Sequence, residues 1–533
     1  MIPKEKIFSL GVLFSKTKEI SALNPYLASA LTFDTCAIES NYYAISSRPT
    51  TTNTTVVDPT TSVQPSFFNG SGNPISFCTD VEGDLAYFKR FVAGSKALSF
   101  NETDGRLVLH DGYDFVFGGD ASDKGVGSLR ILALLVNLYD DYGEDRVSFL
   151  LGNRDINKMR FTSELDNSLG SLVLDPNSYH SNARPFWDLN SMSPNEYLEA
   201  SEVNGTVPNQ INRLKWMLDK SMGSQGDFER RRAELKEMNL ASSDDDVVNS
   251  YLASVQPGGV LYRYLTIGKL AVRKGSILFV HGGVSQFYRG MIESNDYFVP
   301  GEGAYGNLDK MVGNLDKMEQ FDTMDAWIEG LNRFKETQLT AWTLEPAWSV
   351  LSNATHHVRG GNDLIKYVLR VLPSVVAGRH TYLDTGMPFQ MLNDQMETFN
   401  RDGITTIVSG HTPSGVTPTV IAGKVKVFMA DTCYSNPTFN PRDTRGQVTV
   451  SELLFSKDGR YVVHGVFQLL EDGEMTTWKV AYDHTDEAIG IMMPETSEYS
   501  GFFIKAKVYN AQEKPAYLLC KVENGGHPCL PVT

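Results

Sequence analysis

Residues 113–125, YDFVFGGDASDKG, decide the fold of this chain: an apolar run of strand length turns through two glycines into a cluster of acid, hydroxyl and ammonium groups. The same arrangement stands before it at 75–84, ISFCTDVEGD, and after it at 147–155, VSFLLGNRD. Between these runs lie DLAYFKRFV and VGSLRILALLVNLYDDYG, whose apolar residues recur at helical spacing. The order is β-α-β-α-β. Continuous apolar strands followed by helices predict an α/β sheet covered on both faces, with loops at the strand C-termini available for chemistry.

Working outward, residues from about 156 to 270 are polar and helix-like, with PNQINRLKWMLDKSM and DFERRRAELKEMN as the clearest helical segments. They read as a helical insertion before the next apolar strand, SILFVHGG at 276–283. A seven-residue duplication, GNLDKMVGNLDKM at 306–318, places Leu and Met on one helix face and reads as a local repeat. Beyond residue 400 the runs TTIVSGHT, VKVFMADT, YVVHGVFQLL, TTWKVAY and FFIKAKVYN are strand-like, with turn residues at Asp458-Gly459 and Glu471-Asp472-Gly473, so the C-terminal part is expected to be mainly β. Toward the N-terminus, residues 47–66 are rich in Thr, Ser and Pro with almost no charge, the composition of a linker. The expected organisation is therefore an N-terminal segment 1–46, a linker 47–66 and a main domain 67–533.

A chain of 533 residues with 41% hydrophobic and 21% charged residues has enough apolar surface for a sizeable core. Its net charge of −16 disfavours nucleic acid or an anionic membrane as partner and suits an acidic site that holds cations. Cys36, Cys78, Cys433, Cys520 and Cys529 are odd in number and show no metal-type spacing, which reads as reduced, intracellular thiols with no disulfide framework. The N-terminal apolar run is broken by Gly11 and Lys16, too short for a secretory segment or a membrane span, and the expected location is cytoplasmic. On that expectation the N-x-S/T sequons at Asn53, Asn69, Asn101, Asn204 and Asn353 are chance matches.

Five strand-like runs end in polar clusters that include ligands for divalent cations: Asp80 and Glu82; Asp120, with Asp123 and Lys124; Asn153, with Arg154 and Asp155; His281 in HGG; and His411 in GHTP. Carboxylates, an amide and imidazoles delivered from parallel strand ends are what a pair of hard or borderline divalent ions requires. Taken alone, an Asp after a strand is as readily a helix cap or turn former, and a lone His is more often a core residue. Five such clusters in sequence weigh against that reading, although Asp155 reads better as a helix cap than as a catalytic group.

The five clusters resemble the D-x-H-G, GD-x-x-D-x-G, GNH-D/E, HGG and GH-T motifs of the calcineurin-like metallophosphoesterases, in that order, over roughly residues 75–435. GHTP and VKVFMADTCYS resemble the branch of the Ser/Thr protein phosphatases and diadenosine tetraphosphatases. The resemblance implies a four-layer αββα sandwich holding two divalent ions, with Asp80 on the first, Asp120 bridging, and Asn153, His281 and His411 on the second. It further implies that metal-bound water attacks phosphorus directly.

Two positions depart from the pattern. Glu82 stands where the family has His, which would harden the first metal's ligands and favour Mn or Mg over Zn, so Mn is the expected ion with Mg, Fe or Zn as alternatives; the bland alternative is a solvated residue beside the site. Arg154 stands where the family has a His general acid. Its guanidinium cannot donate a proton, but its fork binds phosphate oxygens. Good leaving groups suffer least from that loss, so phosphotyrosine or an anhydride is favoured over phosphoserine. Asp123 is expected to pair with Arg154 or hold the attacking water, Lys124 and Arg379 to contact phosphate, and His380 to be a candidate substitute acid. The expected function is a metal-dependent phosphatase acting on a phosphoprotein or phosphopeptide. The alternatives are a nucleotide phosphohydrolase of the diadenosine tetraphosphatase kind and an inactive scaffold.

Overall fold

The structure is a computed structural model that describes residues 72–166, 192–200, 209–284, 297–300, 318–347, 349–350, 357–368, 374–382, 385–432, 449–471, 474–522 and 529–532. The N-terminal segment, the linker and all but the last residue of the 306–318 duplication lie outside the described residues.

Two sheets face each other. The first contains β1 (Ile75–Cys78), β2 (Asp114–Phe117) and β3 (Val147–Phe149), and the second contains β4 (Ala271–Lys274), β5 (Ile277–Val280), β6 (Thr406–Ser409), β7 (Thr419–Ile421) and β8 (Lys426–Met429). The C-terminal strands are β9 (Val450–Phe455), β10 (Tyr461–Glu471), β11 (Glu474–Asp483), β12 (Phe503–Tyr509), β13 (Pro515–Cys520) and β14 (Cys529–Val532). They extend the first sheet in the order β14-β13-β12-β11-β10-β9-β1-β2-β3, while the second runs β7-β8-β6-β5-β4. In each sheet the central strands are parallel, β1 with β2 and β2 with β3, β5 with β6 and β6 with β8. Their C-terminal ends therefore share one edge.

Residue alternation explains the layering. Phe77, Val116, Phe279, Val408, Phe428 and Phe455 meet between the sheets, with Phe77 and Phe279 stacked at 5.6 Å and Phe428 edge-on to Phe455 at 5.1 Å. Their immediate neighbours Cys78, Phe117, Val280, Ile407 and Met429 point the opposite way, into the helices. A period of two with both faces apolar is what a strand buried on both sides requires. On the first sheet lie α1 (Leu85–Gly94) and α2 (Ser128–Arg146). Between β3 and β4 the described residues are helical, from α3 (Asn153–Asn157) through α4 (Asp227–Glu237), α5 (Asp244–Val255) and α6 (Val260–Ile267), and α6 packs on α2. On the second sheet α7 (Met324–Leu344) covers β4, and α8 (Asn393–Arg401) buries Met396 and Phe399. The architecture is the mixed α/β, four-layer sandwich. No helix among the described residues is long and apolar enough to cross a membrane.

Two expectations need correction. The first is the β-α-β-α-β order, because a small hairpin, Leu98–Phe100 with Leu107–Leu109, stands between α1 and β2. The second is the reading of all five cysteines as reduced: Cys520 and Cys529 form a disulfide. Strand register accounts for it, since β13 and β14 pair antiparallel with Cys520 directly opposite Cys529, Cα atoms 4.2 Å apart. A search for metal-type spacing does not see a hairpin register. Cys78 is a buried free thiol, and Cys36 and Cys433 lie outside the described residues.

Candidate metal centre

Each cluster begins where a central strand stops. β1 delivers Asp80 and Glu82, β2 delivers Asp120, Asp123 and Lys124, β3 runs into Asn153 and Arg154 at the start of α3, and β5 and β6 end at His281 and His411. The loops are bonded to one another through their backbones: Asp80 N–H donates to Gly119 O (3.0 Å), Glu82 N–H to Asp120 O (3.0 Å) and Gly410 N–H to His281 O (2.7 Å). Among the described residues eight non-glycine residues have positive φ, and six of them are Asp80, Glu82, Asp120, Asp123, Lys124 and His411. Backbone held there costs about 1–3 kcal/mol per residue, so it persists only where the surroundings enforce it, and here it marks the turns that carry the polar clusters off their strands.

Asp120, His281 and His411 offer ligand atoms that all lie within 4.8 Å of one another. His281 is fully buried, and its Nδ1 lies 2.7 Å from the carbonyl of Gly118. A carbonyl only accepts, so Nδ1 carries the hydrogen and Nε2 presents its lone pair to the cluster. Nε2 faces Asn153 Oδ1 at 3.3 Å and Asp120 Oδ1 at 3.4 Å, two further acceptors. Three acceptor atoms aimed at one another need a cation between them. Burial pushes the His281 pKa down, but Asp120 and Asp80 outweigh it and raise it to about 10, so without a metal a proton takes that place. This donor set, with Asn153, fits a divalent ion.

The other half of the expected set is arranged differently. Asp80 accepts the backbone N–H of His411 on both oxygens (3.1 and 3.0 Å) and the Thr79 hydroxyl on Oδ2 (2.5 Å), and it does not join the three-residue group. Burial, and then Asp431, push its pKa well above the usual carboxylate range. Both oxygens of Glu82 lie 2.9 Å from Lys124 Nζ, and Oε1 lies 2.8 Å from Arg154 Nε. Burial pushes the Glu82 pKa up, yet Lys124 and Arg154 hold it below its ordinary value. Lys124 and Arg154 thus both pair with Glu82.

Arg154 is held on several sides. Its Nε is 3.5 Å from Asp120 Oδ2, its Nη1 is 3.4 Å from Asp123 Oδ2 and donates to Gly223 O at 3.1 Å, and its backbone N–H donates to Asp120 Oδ1 at 2.9 Å. Nη2 has no hydrogen-bond partner among the described residues. The expected Asp123–Arg154 pair is present, and two unforeseen donors complete it: Lys158 Nζ at 2.6 Å and Ser224 Oγ at 2.5 Å, both on Asp123 Oδ2. Burial pushes the Asp123 pKa up, but Lys158 and Arg154 bring it down to about 2, so this carboxylate is charged at any working pH.

Asp155 acts as the expected cap. It accepts the backbone N–H groups of Gly152 (2.8 Å), Asp120 (2.9 Å) and Ala121 (3.1 Å), bracing the β2 and β3 loops together. Arg379 reaches the edge of the centre, its Nη1 3.3 Å from Thr412 Oγ1 beside His411. His380 turns away into the fold: it is fully buried, Val284 N–H donates to its Nε2 at 3.3 Å, and burial lowers its pKa to about 4. A neutral ring in that position is not brought to the Asp120–His281–His411 group.

Sequence reasoning missed Asp431, Lys158 and Ser224. Asp431 is buried after β8, its charge felt at Asp80. Its signal was present, since VKVFMADT ends in an acid as the other strands do. Lys158 follows Arg154 by four residues, one helical turn. Ser224 comes from the insertion and carries no local signal.

No family model matches the chain, and no curated protein matches it. Among solved structures, the cold-active protein-tyrosine phosphatase of a psychrophilic Shewanella species is 13% identical, covering 76% of this chain and 80% of its own, with a TM-score of 0.36. A protein serine/threonine phosphatase from Saccharomyces cerevisiae is 11% identical, covering 81% of this chain and 82% of its own, with a TM-score of 0.28. The geometry of the site, rather than these distant matches, carries the functional reading. In motif order and in its two-sheet sandwich, the chain resembles the calcineurin-like metallophosphoesterases.

Proposed function

We propose that this protein is a metal-dependent phosphoesterase acting on phosphoproteins, with a preference for phosphotyrosine. The observation that carries this is the grouping of Asp120, His281 and His411 within 4.8 Å of one another, with the Arg154 guanidinium beside Asp120. Asp120, Asn153, His281 and His411 would hold a divalent ion. When bound, such an ion supplies Lewis acidity to a phosphoryl oxygen and acidifies a coordinated water. With Glu82 engaged by the Lys124 ammonium and the Arg154 guanidinium, the harder ligand set that favoured Mn loses a member, and two imidazoles with two oxygens suit Mn, Fe or Zn.

The protein's own groups do the rest. Arg154 offers Nη2 to a phosphate oxygen while Glu82 and Asp123 keep its plane fixed, and Arg379 lies at the rim beside Thr412. No group at the Arg154 position can protonate a leaving oxygen. A phenol, with pKa about 10, leaves without that help far more readily than an alkyl alcohol. The insertion contributes Gly223 and Ser224 to the site wall, which suits a substrate presented on a macromolecule.

The test is metal-dependent hydrolysis of phosphotyrosine, phosphoserine and phosphothreonine peptides and a dinucleoside tetraphosphate, with Asp120→Asn as control. Fastest turnover of phosphotyrosine with a silent control is expected. Fastest turnover of the tetraphosphate would replace phosphoprotein by nucleotide as substrate, and metal binding with no turnover of any of them would leave the scaffold reading.

A further inference from the structure

We infer that the centre holds one divalent ion rather than two, and that the side-chain cations of Arg154 and Lys124 stand where a second ion would be bound. This rests on the metal-dependent reading above and concerns its stoichiometry. A first metal in the expected arrangement would lie among Asp80, Glu82 and Asp120. In the structure a guanidinium lies there: Arg154 Nε is 2.8 Å from Glu82 Oε1 and 3.5 Å from Asp120 Oδ2, between two of those three carboxylates. Lys124 closes the other side of Glu82, 2.9 Å from each oxygen, so both of its ligand atoms already face a positive charge.

The third carboxylate, Asp80, is turned to another task. It accepts the His411 backbone N–H on both oxygens and the Thr79 hydroxyl, and so holds the turn that presents His411 to the ion at the Asp120–His281–His411 group. That remaining group is a complete set for one ion, with Asn153 as a fourth donor. The two departures of the sequence then have a single physical account. A carboxylate at Glu82 provides the anion that an Arg at 154 and a Lys at 124 require, and the trio replaces a divalent ion and its imidazole ligand with fixed side-chain charge. A second ion entering beside these two cations would be repelled by both, and would have to displace them from Glu82.

The experiment is metal analysis of the full-length protein after saturation with Mn, Fe or Zn and removal of loosely held ions, read as metal per chain. One ion per chain is expected, lost in His281→Ala. Two ions per chain would overturn the inference while leaving the phosphoesterase reading intact, and none would overturn both. One ion with no phosphatase turnover would uphold the stoichiometry and sink the proposed activity alone. The double substitution Arg154→Ala and Lys124→Ala is expected to raise uptake to two, because Glu82 and Asp120 are then left without their cations. A folded double variant that still takes one would overturn the assignment of these two residues as the occupants. Should the double variant not fold, the count on the unaltered protein decides.

Discussion

At the scale of single residues, the most informative position is Asp123, because Lys158, Ser224 and Arg154 converge on one of its oxygens. Lys158 and Ser224 fill the sites that leave Arg154 the third partner, so the direction of the guanidinium is set from the residue that caps the C-terminus of α3 and from the insertion together. Ser224 is a positioning residue. Its replacement by Ala removes a buried hydrogen bond to a charged group, worth about 1.5–3 kcal/mol. Ser224→Ala is expected to lower kcat on a phosphotyrosine peptide about tenfold or more, with little change in metal content, as steady-state kinetics and metal analysis would show. An effect on metal content as large as on kcat would make Ser224 a structural residue instead. Asp123 and Arg154 were legible in the sequence because they sit in a turn between recognisable strand and helix. Ser224 was not, since a serine 101 residues away meets Asp123 only after the insertion has folded back.

At the scale of elements, the strand ends do the positioning, and the glycines beside them decide how closely the ends approach. A Cβ added at Gly410 would lie 2.0 Å from Asp80 Oδ2 and 2.3 Å from Thr79 Oγ1, so either those buried side chains or the turn that carries His411 must shift. Gly410→Ala is therefore expected to shift His411 and weaken metal binding about tenfold or more, comparable to loss of an outer-shell partner. Calorimetric titration of the metal-free protein checks this, and an unchanged affinity would mean that His411 is not a ligand. Five strand ends could be read from continuous apolar runs and the polar clusters after them. Asp431 obeyed the same rule after β8 and could have been read with them. The small hairpin before β2 and the Cys520–Cys529 pair could not, because three-residue strands carry too little pattern and a cross-strand pair depends on register.

At the scale of the whole molecule, the two sheets meet through one aromatic layer, and the helical insertion is tied to the rest by buried ion pairs. Glu164 accepts from Arg160 at 2.8 Å, and Arg359, distant in sequence, lies 3.1 Å from it. Burial pushes the Glu164 pKa up, yet the two guanidinium groups bring it down to about 2 from an ordinary 4.5. A depressed carboxylate stabilises the fold fully above its unfolded pKa and loses that contribution as pH falls through the folded value. Glu164→Gln is expected to destabilise the protein by on the order of 3 kcal/mol at pH 7, with the difference from the unaltered protein shrinking between about pH 4.5 and 2. Urea unfolding of both proteins across that range reads it directly, and a difference that stays constant with pH would show that the pair contributes through packing rather than charge.

What the sequence determined by itself was local: which runs are strands, which groups follow them, and that acids, an amide and imidazoles are delivered from strand ends on shared edges. Periodicity and turn chemistry act over a few residues, so a single chain carries that information without its fold. Only the tertiary structure decided how those groups share their charges. Glu82 read as a ligand and lies between two cations, Asp80 read as a ligand and holds the His411 turn, and Lys158, Ser224 and Asp431 entered from elements the motifs do not include. The reason is that ion pairing falls off over a few ångströms, and which charges come that close is set by the packing of both sheets, α3 and the insertion together.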